Sequence, residues 1–253
     1  MLSLYQELTQ FDIIERLEPL FKSGFLRIDE RGIIKLAHQG MDWDTPWVLH
    51  GQRLGKKCHL WQPLAGLLKF VPRECMQCWK VVVRIQTFRD LLVVDQIQQD
   101  LVKFNIESKC GIERRAYTHS PYGAYFYTGS LDEGRDRYRM VSGVLSKNNI
   151  EAEVILKRYC TEYEMAFGGT KSYERPIDAD QLEDKILRVM EIGPPVVNQP
   201  DYLVDHVKKT TWVKRAWQIG DKTVEEYLSN RPLYYKCDTY HEEGEQTDGI
   251  HSE

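Results

Sequence analysis

The segment WKVVVRI at residues 79–85 is dense in β-branched residues and is typical of a buried strand. Apolar residues recur every three to four positions from Phe88 to Phe104, which predicts an amphipathic helix after this strand. Thr87 precedes the apolar stripe, and a threonine there can cap the helix by accepting a backbone hydrogen bond. The centre of the chain therefore opens with a strand followed by a helix.

Three further strands and a second helix are predicted downstream of this unit. Strand-like segments span residues 112–117 and the aromatic residues 122–128. Ser130 and Glu133 have the spacing of a capping box, so a helix is expected to begin there. A β-branched segment at 153–159 predicts the last strand.

The resulting order, β-α-β-β-α-β, is that of the ferredoxin-like unit, in which two right-handed crossovers interleave. It predicts an α+β protein with an antiparallel sheet of strand order 4-1-3-2 beneath two helices. The predicted divisions are an N-terminal helix-hairpin with an aromatic-rich connector (1–74), the ferredoxin-like unit with its cysteine edge (75–165), a C-terminal helical extension (166–240) and an acidic disordered tail (241–253).

Composition places the chain among ordinary globular proteins. Of its 253 residues, 42% are hydrophobic and 28% are charged, and the formal net charge is −4. No apolar run approaches the ~20 residues that span a bilayer, and the first residues lack the pattern of a secretory signal. The sequence thus predicts a soluble, cytoplasmic protein without a membrane partner.

Four of the six cysteines fall where the predicted topology brings strand ends to one edge of the sheet. Cys75 and Cys78 precede the first strand, Cys110 opens the second, and Cys160 ends the fourth. Because a Cys-x2-Cys pair is the usual half-site for tetrahedral zinc, these four thiols predict a tetrathiolate zinc site. An iron-sulfur cluster is the alternative that the same ligands allow.

Three other interpretations of the cysteines stay open. Buried thiols without a ligand are common, since cysteine is among the most buried residue types. Cys75 and Cys78 have the spacing of a thioredoxin-like redox pair, although that motif requires a helix N-terminus that lowers the thiol pKa. Cys237 and His241 are separated by three residues and offer a different second half for the zinc site.

The sheet face opposite the predicted helices is expected to be aromatic and basic. Strand alternation places six such side chains there: Lys80, Arg84, Arg115, Tyr125, Tyr127 and Lys157. The third strand, YGAYFY at 122–127, resembles part of the aromatic motif of RNA-recognition modules, without the basic residue that leads it. This predicts a surface for single-stranded RNA or DNA. The opposing prediction is that the terminal segments cover this face and bury its tyrosines.

No catalytic constellation is present in the sequence. It lacks a His-Glu-x-x-His motif, a nucleophile elbow and a phosphate-binding glycine loop, so the catalytic residues of any enzyme activity stay unknown. Three hypotheses follow. They are a zinc-stabilised nucleic-acid-binding or assembly module, an iron-sulfur or other metal-dependent enzyme acting at the cysteine edge, and a protein-interaction subunit with a structural zinc.

Overall fold

The structure, a computed structural model, describes residues 14–36, 47–51, 69–190, 202–229, 238–242 and 245–248, with residues 61, 64, 67 and 231. The strands are β1 (Leu26–Ile28), β2 (Ile34–Leu36), β3 (Trp47–His50), β4 (Trp79–Ile85), β5 (Ser108–Ile112), β6 (Tyr122–Thr128), β7 (Glu153–Arg158), β8 (Asp238–Glu242) and β9 (Glu245–Asp248). The helices are α1 (Glu18–Lys22), α2 (Arg73–Met76), α3 (Phe88–Leu101), α4 (Leu131–Lys147), α5 (Thr161–Phe167), α6 (Ala179–Val189), α7 (Tyr202–Gln218) and α8 (Thr223–Leu228). None of these described helices is long and apolar enough to cross a membrane.

Five strands form one antiparallel sheet in the order β3-β5-β6-β4-β7. Strand β4 pairs with β6 along its whole length and with β7 along most of it. The combination of helices with an antiparallel sheet confirms the predicted α+β class. Strand β3 pairs with β5 at one edge of the sheet and was not among the four predicted strands. Its residues belong to the segment that the sequence predicts as an irregular connector.

The second predicted strand is displaced along the chain. The sequence predicts it at 112–117, whereas β5 occupies Ser108–Ile112. This strand contains lysine and glycine, which have weak strand preference, and it is stabilised by pairing on both sides with β3 and β6. The prediction for Cys110 was therefore wrong in one respect, because Cys110 lies in the middle of β5 and does not open it.

Four helices pack against one face of the sheet. Side chains of α3, α4, α7 and α8 share a hydrophobic core with this helix-covered face. Its largest fully buried members are Trp212, Tyr122, Phe88 and Phe126. Asp221 precedes α8 and accepts hydrogen bonds from the Phe88 amide at 2.6 Å and the Tyr122 hydroxyl at 2.9 Å, which joins α8 to α3 and β6.

Helices α3 and α4 begin at the predicted caps. Thr87 Oγ1 accepts a hydrogen bond from the Asp90 amide at 3.1 Å, and Ser130 Oγ accepts one from the Glu133 amide at 3.2 Å. These bonds satisfy backbone N–H groups that a helix leaves unpaired in its first turn.

A second hydrophobic core joins the N-terminal hairpin to the helices that follow β7. Strands β1 and β2 form the predicted hairpin. Buried side chains of the hairpin, of α5 and of α6 share this core, including Ile34 and Leu182. Residues from both predicted segments, 1–74 and 166–240, thus meet in this second core, whereas α7 and α8 belong to the first.

The acidic C-terminal stretch contains regular structure in its described residues. Strands β8 and β9 pair as an antiparallel hairpin, where the sequence predicts a disordered tail from residue 241. Cross-strand pairing satisfies backbone groups that the prediction left to solvent.

Candidate functional site

The strand register aligns polar and aromatic side chains in rows on the sheet face opposite α3 and α4, which we call the polar face. In one row Lys157 of β7 pairs with Lys80 of β4, which pairs with Tyr127 of β6. In the next row Tyr125 of β6 pairs with Lys109 of β5. Because side chains alternate between the two faces of a strand, both rows project from the same face.

A cavity of about 260 Å³ opens on the polar face, and we call it the sheet-face pocket. Five of its lining side chains are basic, three are aromatic and two are acidic. The basic residues are Lys80, Lys109, Arg114, Arg115 and Lys157, the aromatic residues are Trp47, Tyr125 and Tyr127, and the acidic residues are Glu113 and Glu162. Cys160 also lines the cavity. The excess of basic over acidic groups favours an anionic ligand.

Trp47 brings an aromatic wall to the sheet-face pocket from the edge strand β3. Its ring meets Tyr125 edge to face, with ring centroids 5.4 Å apart and planes at 78°. Lys109 Nζ lies 4.6 Å from the Trp47 centroid and 5.1 Å from the Tyr125 centroid, within the range of cation–π attraction. Gly123 lies next to the two rings: a Cβ there would make ordinary van der Waals contact, 3.4 Å from Tyr125 and 3.6 Å from Trp47.

Arg115 organises the acidic side of the pocket. Its Nε donates to Glu113 Oε1 at 2.7 Å, and its Nη1 donates to Glu162 Oε1 at 3.0 Å. The Tyr125 hydroxyl donates to Glu113 Oε2 at 3.0 Å. Burial would raise the pKa of Glu113, but the hydrogen bonds and charge of Arg115 outweigh burial and lower that pKa, so the carboxylate stays ionised.

Glu162 keeps one carboxylate oxygen that this network does not use. Its Oε2 atom is buried and has no hydrogen-bond partner in the part of the chain that the structure describes. Burial would raise the pKa of Glu162, but its own backbone amide and Arg115 outweigh burial and lower that pKa. An ionised buried oxygen without a donor costs free energy, so a ligand that donates a hydrogen bond here would be stabilised.

Lys80 is a buried cation in the wall of the pocket. Only 4% of Lys80 is exposed, and its Nζ donates to Cys160 Sγ at 3.1 Å. Burial would lower the pKa of Lys80, but Cys160, Tyr127 and Cys78 outweigh burial and raise it above its ordinary value. An anion that enters the cavity would therefore meet a fixed positive charge.

Five of the six residues predicted for the nucleic-acid surface line the sheet-face pocket. The exception is Arg84, whose Nη1 donates to Glu153 at 2.8 Å and which does not line the cavity. Tyr125 is only 7% exposed, with the edge of Trp47 against its ring. Tyr125 therefore supports the wall of the pocket and presents little surface on which a base could stack.

Sequence analysis missed Trp47 and Lys109 for different reasons. Trp47 begins a four-residue strand inside a segment rich in tryptophan, glycine and proline, whose irregular pattern concealed it. Lys109 was omitted because the second strand was predicted four residues too late. Alternation from a strand at 108–112 would have placed Lys109 beside Tyr125 on the polar face.

Three of the four predicted zinc ligands lie near one edge of the sheet. Cys75 is in α2, Cys78 immediately precedes β4, and Cys160 immediately follows β7. Cys110 is elsewhere, because β6 and β4 separate its strand from β7 and it pairs with Ala124 in the middle of β6. The four cysteines, all of which are described, do not form a group with ligand atoms within 4.8 Å of one another. The structure thus does not bring the four thiols together.

A different group of potential ligands contains Cys110. His50, Asp95 and Cys110 each place one ligand atom within 4.8 Å of the others, and no further group of three or more was found in the described ranges. Burial, followed by the charge of Asp95, raises the pKa of the Cys110 thiol well above its ordinary value. Of the alternative zinc ligands, Cys237 and the side chain of His241 lie outside the described residues. The zinc and iron-sulfur assignments remain predictions.

Comparison of the chain with protein-family models, with curated proteins and with solved structures gave no match.

Proposed function

We propose that the sheet-face pocket binds single-stranded nucleic acid. The observation that carries this proposal is the convergence of five basic and three aromatic side chains around one cavity of about 260 Å³. Single-stranded nucleic acid is recognised by this combination, because cations track its phosphates and aromatic rings stack on its bases.

The charges of the pocket support a phosphate-binding role. Glu113 and Glu162 offset part of the positive charge, and Arg115 is bonded to both. The half-buried Lys109 and the exposed Arg114 add further positive charge to the lining of the cavity. The lining keeps more basic than acidic groups, so phosphate oxygens would be attracted toward it and high salt would weaken the attraction.

The polar and aromatic groups support recognition of a base. Tyr127 and Trp47 are both half-buried, so each keeps part of its ring accessible for stacking. The unpartnered Glu162 Oε2 can accept a hydrogen bond from an exocyclic amino group or ring N–H of a base. The cavity of about 260 Å³ lies just below the roughly 300–1,000 Å³ of small-ligand pockets, so it would take only part of a nucleotide within a longer strand.

The topology around the pocket is consistent with a ferredoxin-like unit as its scaffold. Strands β5, β6, β4 and β7 are neighbours in that order, and α3 and α4 pack on the opposite face. In this proposal β3 is an added edge strand that contributes Trp47 to the binding surface. Nucleic-acid-binding proteins with such a unit use the sheet face that the helices leave uncovered.

The test is fluorescence anisotropy with labelled single-stranded RNA and DNA of mixed sequence over a series of salt concentrations. We expect the wild-type protein to bind, and a Lys109→Gln, Arg114→Gln double variant to bind about 10-fold more weakly or worse. The slope of log affinity against log salt should become shallower by about 0.7 for each phosphate contact removed.

A double variant of Lys103→Gln and Lys147→Gln is the matched control, because it removes the same charge from two exposed lysines outside the pocket. It should bind almost as the wild type does. The proposal fails if the wild-type protein binds neither RNA nor DNA at low salt, or if the control variant loses as much affinity as the pocket variant. Nuclease-resistant capture of a protein partner, without oligonucleotide binding, would instead support an assembly function.

A further inference from the structure

His50, Asp95 and Cys110 form a compact group on the helix-covered side of the sheet, which we call the Asp95 cluster. Strand β3 supplies the histidine, α3 the aspartate and β5 the cysteine. His50 Nε2 lies 2.9 Å from Asp95 Oδ1, and Cys110 Sγ lies 3.6 Å from the same oxygen. Three elements that are distant in sequence thus direct a nitrogen, an oxygen and a sulfur toward one point.

The distances within this cluster suit a tetrahedral metal ion. Zinc bonds of ~2.0 Å to nitrogen and oxygen and ~2.3 Å to sulfur put neighbouring ligand atoms ~3.3–3.6 Å apart. The three atoms of the Asp95 cluster all lie within 4.8 Å of one another, so small side-chain rotations would produce that spacing. We propose that the Asp95 cluster is a zinc site with His50, Asp95 and Cys110 as ligands. This inference is independent of nucleic-acid binding.

The donor set and the burial of the cluster both favour zinc. Calcium and magnesium take oxygen ligands, whereas an imidazole combined with a thiolate selects zinc and related transition metals. The side chains of His50 and Asp95 are 10% and 6% exposed, and Cys110 is 0% exposed. A site so shielded from water suits a structural ion better than a catalytic one.

Helix α7 brings two more charged groups to the cluster. Lys209 Nζ lies 2.5 Å from Asp95 Oδ2, which leaves Oδ1 for the ion. Asp205 lies one turn earlier on the same helix, and its charge acts on both His50 and Asp95. Lys209 balances the charge of Asp95 when no ion is bound.

A zinc ion here would strengthen the attachment of the edge strand β3. Within the five-stranded sheet, β3 is paired only with β5. An ion bound by His50, Asp95 and Cys110 would link β3 to α3 as well as to β5. Because β3 also carries Trp47, the ion on one side of the sheet would hold the aromatic wall of the sheet-face pocket on the other.

The experiment is an anaerobic titration of the full chain with Co²⁺, which replaces zinc in tetrahedral sites and absorbs visible light. We expect one equivalent of Co²⁺ to produce intense d–d bands and the near-ultraviolet charge-transfer band of a single cobalt–thiolate bond. Excess Zn²⁺ should displace the cobalt and remove both features. Elemental analysis of the zinc-loaded protein should give one zinc per chain.

Matched cysteine variants locate the thiolate. Cys110→Ser should abolish the charge-transfer band, and Cys160→Ser, which changes a thiol at the opposite end of the sheet, should leave it intact. His50→Gln provides a second variant in case Cys110→Ser does not fold, and it should weaken Co²⁺ binding by at least 10-fold. Circular dichroism of each variant verifies that the protein is folded.

A Lys209→Met variant separates a metal site from an internal ion-pair network. Removing a cation next to the site should tighten Co²⁺ binding several-fold, whereas a network with no metal function would show only a loss of stability. The proposal is overturned if the wild-type chain binds no Co²⁺, or if Cys110→Ser keeps the charge-transfer band. Loss of the band in Cys160→Ser alone would also overturn it, because the site would then lie at the cysteine edge.

Discussion

The Asp95 cluster and the sheet-face pocket lie on opposite faces of one sheet and use the same types of residue. Each combines a buried carboxylate with a lysine or arginine and a cysteine thiol. In the Asp95 cluster the histidine and cysteine converge on one carboxylate oxygen, with no surplus of basic residues. In the pocket the basic residues outnumber the acidic ones around an open cavity.

Geometry and charge count, more than residue type, are the basis on which we propose a cation site on one face and an anion-binding pocket on the other. Converging electron-pair donors around Asp95 create a place for a cation, because each donor can be a metal ligand. A surplus of fixed cations beside a cavity creates a place for an anion, because desolvated charges must be compensated. The sheet between them keeps the two kinds of site apart.

The largest expected effect is a difference in stability between variants of the two buried carboxylates, Asp95 in the Asp95 cluster and Glu113 in the sheet-face pocket. Asp95→Asn removes the buried carboxylate that contacts both Lys209 and His50, and it should reduce the free energy of unfolding by about 3 kcal/mol. Glu113→Gln should reduce the free energy of unfolding by only about 1 kcal/mol, because Arg115 still donates a hydrogen bond to Glu162 and the open cavity lets water solvate the guanidinium. Urea titration of the metal-free proteins measures both values, and equal losses would contradict the distinction between the faces.

The stability that Asp95 contributes should also depend on pH. Burial would raise the pKa of Asp95, but hydrogen bonds from His50 and Lys209 outweigh burial and lower it. As the pH falls, the unfolded state therefore takes up the proton before the folded state does, and stability is lost through the folded pKa, below the ordinary aspartate value near ~4.

The difference in unfolding free energy between wild type and Asp95→Asn should accordingly shrink as the pH falls below the ordinary aspartate value near ~4. Urea titrations at several pH values measure it, with Asp132→Asn on the exposed first turn of α4 as a control that should show little change. A difference that grows with acidity would contradict the assigned direction of the pKa shift.

A smaller effect, on oligonucleotide binding, is expected when the half-buried ring of Tyr127 is removed from the sheet-face pocket. Tyr127→Ala should weaken oligonucleotide binding about 10-fold, the loss of one stacking contact, with little change in the salt slope. Tyr138→Ala on α4 is the control, because its ring is on the helix side of the sheet. If Tyr127→Ala binds as the wild type does, the pocket uses its charges alone.

The sequence predicted the interior of the fold better than its edges. The β-branched run at 79–85 and the capped helices are local signals, and strand alternation correctly placed Lys80, Tyr127 and Lys157 on one face. Strand β3 has four residues, too few for a periodic pattern, and β5 depends on pairing with its neighbours more than on its own residues.

The displacement of β5 also explains why Cys110 does not lie with the other three cysteines. A shift of four residues moved Cys110 from the predicted edge into the sheet interior. There its neighbours are His50 and Asp95, from segments whose proximity no local pattern indicates. A site whose residues come from several elements therefore cannot be predicted without the tertiary structure. In contrast, alternation within a single strand predicts which of its side chains share a face.

The smallest effect concerns Arg84, the one predicted nucleic-acid residue that does not line the pocket. Arg84 pairs with Glu153, and both side chains are partly exposed, so the bond contributes little to stability. Arg84→Gln should change oligonucleotide affinity by about twofold or less, whereas Lys109→Gln, an equal change of charge, should weaken binding several-fold. Anisotropy titrations of the two single variants at one salt concentration compare them directly. If Arg84→Gln weakens binding as much as Lys109→Gln, the nucleic acid follows the full length of β4 and the cavity is not its centre.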